Sequence, residues 1–170
     1  QYWRNEISEK QLIKRVEGEI GVTTKSIETF FEEAITERNP EAIESGLQIM
    51  GMLNFESELI HILHQLIIEE WHFRHEDIIH SLQKLSDPGS IPFIEKAMCI
   101  KFGYLEAYGT GTRQFISQCG HALWAIGTAE AIGIIRKLAN SEDPVMRDEM
   151  LYRISRVEGR NDYKRNFEIG

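Results

Sequence analysis

Apolar residues recur every three or four positions along almost the whole chain, and nowhere do apolar and polar residues alternate over the length of a strand. That periodicity predicts an all-α protein of about nine helices, near 4–18, 25–38, 40–53, 57–70, 75–86, 90–102, 113–127, 129–140 and 144–156. The breaks between them carry helix signals. Asn39-Pro40 sets a capping side chain before a proline, whose missing N–H is harmless at the first helical position, and Asp143-Pro144 repeats the device. Residues 86–90, Ser-Asp-Pro-Gly-Ser, read as a turn with Ser90 capping the helix that follows. The stretch 103–112, "GYLEAYGTGT", holds three glycines and two tyrosines and reads as an ordered loop. Residues 157–170 read as a polar C-terminal tail, which leaves 1–156 as a single helical repeat domain.

The helices come in pairs, and the pairs repeat. Adding 32 to Met50, Leu53, Leu59 and Ile62 gives Leu82, Leu85, Ile91 and Ile94; adding 41 more gives Leu123, Ile126, Ile132 and Ile135. A short polar turn lies between the second and third position each time, and Leu151 and Ile154 begin a further half-unit. A helical hairpin of this kind cannot bury its own apolar face and stacks on its neighbours. The first helices of the pairs (40–53, 75–86, 113–127) are expected in one layer and the second helices (57–70, 90–102, 129–140) in the other, concave one. The longer second spacing reflects nine extra residues, which fall in 103–112.

The segments "HSLQKLSDPGSIPFIEKA" and "HALWAIGTAEAIGIIRKLA" resemble HEAT-like repeats, over roughly residues 40–156. The resemblance implies an α-solenoid of stacked antiparallel helical hairpins. More narrowly, "SIETFFEEAI", "EEWHFRHEDI", "SLQKLSDPGSI" and "ALWAIG" resemble a group of small bacterial HEAT-repeat proteins encoded beside secreted toxins. That resemblance implies an immunity protein, non-enzymatic and without a cofactor, whose partner is a cognate toxin. A general HEAT scaffold is another use of the same fold, because fold does not dictate function.

Charge sharpens the partner. The chain carries a net charge of −8, and residues 28–58 hold eight acids against Arg38 alone. Such a surface repels phosphate backbones, which argues against nucleic acid and for a basic protein. Glu28 and Glu32 are four apart on the second helix, as are Glu33 and Glu37, and like charges at that spacing repel. Glu28, Glu32 and Glu33 are therefore candidate partner contacts. Glu58 and His61 extend the surface onto the fourth helix, and Tyr104 and Tyr108 offer contact area from the loop. A bland alternative is an acidic face kept for solubility.

At 170 residues, 42% hydrophobic and 27% charged, the chain suits one domain with a substantial core. No apolar run approaches the roughly 20 residues of a membrane span, and no signal segment opens the sequence. The chain begins at Gln1 rather than methionine, so residues before it are left open. Cys99 and Cys119 match no metal spacing, which favours a reduced, cytoplasmic setting.

One cluster offers an enzyme instead. "WHFRHEDIIH" gathers His72, His75, Glu76, Asp77 and His80. His75 and His80 are five apart, about 140° around an ideal helix, which breaks the HExxH geometry of zinc proteases. The HEAT-like deoxyhypusine hydroxylases hold two irons through several His-Glu pairs, and His75-Glu76 resembles one such pair. The chain contains no second pair. The expectation is a structural cluster: Glu76 and Asp77 complement the helix dipole, the histidines fix the preceding turn, and Trp71 anchors adjacent hairpins. The chain holds no G-x-S-x-G motif, and no catalytic residue is assigned.

Overall fold

A computed structural model describes residues 21–107, 109 and 111–167, with side chains through 156. The described residues form nine α-helices and no strand. These are α1 (Thr24–Glu37), α2 (Pro40–Leu53), α3 (Ile60–Leu66), α4 (His75–Leu85), α5 (Ile91–Met98), α6 (Gly103–Ala107), α7 (Gly111–Ile126), α8 (Ala129–Leu138) and α9 (Pro144–Phe167). A 3-10 turn, Pro88–Ser90, leads into α5. The helix expected at 4–18 and Tyr108 lie outside the described residues. No helix among the described residues is long and apolar enough to cross a membrane. Contacts group the chain into two compact units, 1–63 and 64–170, with the boundary inside α3.

In the first unit α1 packs on α2. Thr23 and Ser26 form a reciprocal capping box at the start of α1, and Asn39 Oδ1 accepts the Ala42 N–H at 3.1 Å to open α2. Ile27, Phe31 and Ala34 of α1 are buried, as are Ile43, Gly46, Met50 and Leu53 of α2. Gly46 sets how closely the helices approach: a Cβ there would sit 2.8 Å from the ring of Phe31, which is fully buried.

In the second unit α7 is the hub. It packs against α4 on one side and α9 on the other, while α5 and α8 pack on each other and on α7. Helices α4, α7 and α9 thus make one layer and α5 and α8 the second, as the repeat predicts for these pairs. The repeat register holds at Leu82, Ile91, Ile94, Leu123 and Ile135, all buried. Leu151 of the half-unit is instead 50% exposed.

Several boundaries and caps differ from the sequence pattern, and the helix expected at 90–102 ends at Met98. The helix expected at 57–70 spans only Ile60–Leu66, and the Leu66 carbonyl at its end accepts both the Glu69 N–H at 3.0 Å and the His72 ring at 2.8 Å. Ser90 does not cap α5; its hydroxyl meets His64 Nε2 at 2.8 Å, and Asp87 caps the 3-10 turn instead. The expected loop at 103–112 contains α6, drawn in by Leu105, which is 3% exposed. Helix α9 does not stop near 156 but runs to Phe167. Asp143 does cap it, accepting from the N–H groups of Val145 and Met146.

Candidate functional site

The acidic residues of α1 divide by position. Glu32, Glu33 and Glu37 are exposed and, with Thr29 and Thr36, line a shallow recess of about 340 Å³. Both threonine hydroxyls bond their own helix, Thr29 to the Lys25 carbonyl and Thr36 to the Glu32 carbonyl. The recess therefore offers carboxylates to whatever approaches. Glu28 differs: Lys25 Nζ lies 2.9 Å from its carboxylate and His61 Nε2 3.1 Å. The Lys25 hydrogen bond holds the Glu28 carboxyl below its ordinary value, with the charge of Lys25 and the His61 contact adding to it against partial burial. His61 thereby ties α3 to α1 within the first unit. Glu58 is exposed in the turn before α3 and accepts from the Ser57 hydroxyl at 3.0 Å.

Tyr104 is turned inward. Its hydroxyl meets His75 Nδ1 at 3.0 Å, and burial pushes its phenol up to about 12. What it leaves for a partner is a half-buried ring, edge-on to Phe73, which is 59% exposed.

The histidine cluster separates into inside and outside. His72 and His75 are fully buried with rings stacked 4.2 Å apart, whereas His80 is exposed. His72 Nε2–H donates to the Leu66 carbonyl at 2.8 Å, so its Nδ1 carries the lone pair that accepts the Arg74 N–H at 3.1 Å. His75 Nε2–H donates to the Glu69 carbonyl at 2.7 Å, and its Nδ1 accepts from the Tyr104 hydroxyl. All four ring nitrogens are satisfied in one neutral tautomer, with no lone pair left for a metal. Burial lowers both imidazoles, His75 to about 3, with neighbouring His72 adding to the shift. Among the described residues, no group of three His, Cys, Asp or Glu side chains is placed to hold a metal ion. Glu76 meets Gln118 at 3.5 Å rather than His80, and Asp77 pairs with Arg74 at 2.7 Å in the first turn of α4. Trp71 is half-buried, its Nε1–H donating to Glu69 at 2.9 Å.

Cys99 is exposed, in contrast to Cys119. Ser90 and Cys119 are fully buried, and burial raises the Cys119 thiol far above its ordinary value. His64 stacks on Phe93 beside Ser90 at 4.3 Å.

Lys25 and Arg153 matter here and do not stand out in the sequence. Lys25 falls three residues before the acidic block whose first member it neutralises. Arg153 is 7% exposed, donating to His121 Nδ1 at 2.9 Å and to the Ser117 carbonyl at 3.3 Å. Its signal was positional: it continues the face of Met146 and Met150, both buried, in a slot where an apolar residue belongs.

No family model matches the chain, and neither a curated protein nor a solved structure matches it.

Proposed function

We propose that this chain is a non-enzymatic, cytoplasmic binding protein, an immunity protein that neutralises a cognate basic bacterial toxin by covering its surface. The observation that carries the reading is the outer face of α1. Glu32, Glu33 and Glu37 share one exposed recess and make no ion pair among the described residues. Like charges held side by side destabilise an isolated helix by a few tenths of a kcal/mol per pair. A cationic partner relieves that repulsion and is steered in by it. Glu28 and His61 brace the face rather than contact the partner directly. The resemblance of the segments at 26–35, 69–78, 81–91 and 122–127 to small bacterial HEAT-repeat proteins encoded beside toxins supports the immunity role.

The test begins with the reading frame next to this protein's gene. Its product, if toxic when expressed alone, is expected to be tolerated when this chain is co-expressed and to copurify with it in stoichiometric amount. A neighbouring product that is harmless, or a toxic one that neither binds this chain nor is neutralised by it, would overturn the proposal.

A further inference from the structure

The carboxylates of the α1 recess border an apolar strip within the same unit. Phe30, Ile49 and Met52 are exposed, and Met52, at 61%, is the most exposed large apolar side chain among the described residues. Phe30 shares a ridge of α1 with Glu33 and Glu37, which follow it by three and seven residues. On the α2 side, the edge of the Phe30 ring lies 3.1 Å from where a Cβ on Gly46 would sit. Ile49 and Met52 follow Gly46 in steps of three and continue that ridge to the end of α2. The strip thus starts beside two glutamates, crosses the gap left by a missing side chain, and runs along the second helix.

Exposed carboxylates speed an encounter but hold a partner weakly, because water and salt screen them. Sealing apolar surface from water is what slows dissociation. Resting on the immunity reading above, we propose that the basic partner carries apolar side chains between its lysines or arginines. It seats them on Phe30, Ile49 and Met52 while its bases meet Glu33 and Glu37. The glutamates choose this occupant over others. A second copy of this chain, net charge −8, would bring the same acids face to face in a two-fold contact, and an anionic lipid surface would be repelled.

The chain has five methionines, and Met50, Met98, Met146 and Met150 are buried, so the Met52 methyl reports on the strip by itself. In the full chain with labelled methionine methyls, a soluble nitroxide is expected to broaden Met52 and spare the other four. The probe is a synthetic peptide of leucine and lysine at helical spacing. It is expected to shift Met52 saturably and to shield it from the nitroxide. The same peptide with glutamine for each leucine, equal in charge, is expected to bind about tenfold or more weaker. Met52→Gln is expected to weaken the leucine peptide about fivefold or more, through faster dissociation. Glu33→Gln with Glu37→Gln is expected instead to slow its association. Equal binding of the two peptides, unchanged affinity in Met52→Gln, or a Met52 methyl already shielded in the chain alone, by residues 1–20 or by a second copy, would each overturn the proposal. The two readings fail separately. A neighbouring toxin neutralised equally by wild type and by Ile49→Gln with Met52→Gln would sink the strip and leave the immunity role standing. Peptide binding as expected, with no toxin neutralised, would sink the immunity role and support the strip as a seat for cationic, apolar partners.

Discussion

His72 and His75 hold the 66–75 connection in place with hydrogen bonds that exist in one protonation state only. This has a pH consequence with a definite sign. The folded pKa of His75, about 3, lies below the 6.5 of an unperturbed imidazole. Between those values the folded chain binds fewer protons than the unfolded one. The stability is therefore fully present above about pH 6.5 and is lost as pH falls toward 3. The slope from this residue is about 1.4 kcal/mol per pH unit, and His72 is shifted the same way. Urea unfolding at pH 7 and pH 5 is predicted to differ by about 2 kcal/mol or more in the wild type and by clearly less in His75→Gln. Equal stability at both pH values would contradict the burial of a neutral pair. The same closed network predicts no stoichiometric zinc or ferrous iron in calorimetric titration. Stoichiometric metal that disappears in His75→Ala would restore the enzyme reading. The sequence located this cluster and its structural role, because histidines beside a helix start have nearby carbonyls to bond. It did not separate buried His75 from exposed His80, since His75 is enclosed by Phe102, Tyr104 and Phe115, 27 to 40 residues further along the chain.

Helix packing in this chain is set by where side chains are missing as much as by where they are present. Gly46 lies in the middle of α2 against Phe31, whereas Gly133 lies in the middle of α8 with open space, nothing within 4 Å, where a Cβ would sit. Alanine is a better helix former than glycine by about 1 kcal/mol at either place. Gly133→Ala is predicted to gain about 0.5–1 kcal/mol. Gly46→Ala is predicted to lose about 1–3 kcal/mol, because overpacking against a buried ring outweighs propensity. Thermal unfolding of the two variants checks this, and equal shifts would mean that Phe31 is free to move. The helices and their caps at Asn39 and Asp143 were legible because caps and apolar periodicity are local. The end of α3 and the helix inside 103–112 were not, since a side-chain bond from His72 back to Leu66 and the burial of Leu105 are matters of packing that periodicity does not carry.

For the molecule as a whole, the asymmetry of charge is the feature with functional reach. Acids dominate residues 28–58, and the structure places Glu32, Glu33 and Glu37 on the open side of α1 while Phe31 and Ala34 face inward. The sequence pattern indicated this outward face correctly, because a helix with one apolar stripe leaves its acids no other direction. It grouped Glu28 with the free acids, whereas Lys25 and His61 engage it from 3 and 33 residues away. Glu28 is therefore the wrong position to probe by charge reversal, since a change there disturbs the brace as well as the field. Reversing Glu32, Glu33 and Glu37 to lysine isolates the field. The decisive measurement is the association rate of this triple variant and the wild type with the proposed basic partner, at two salt concentrations. The wild type is predicted to associate about tenfold or more faster at low salt, with a steep salt dependence that the variant lacks, while dissociation rates change little. Identical association rates and identical salt dependence for the two proteins would show that the acidic face of α1 does not recognise the partner.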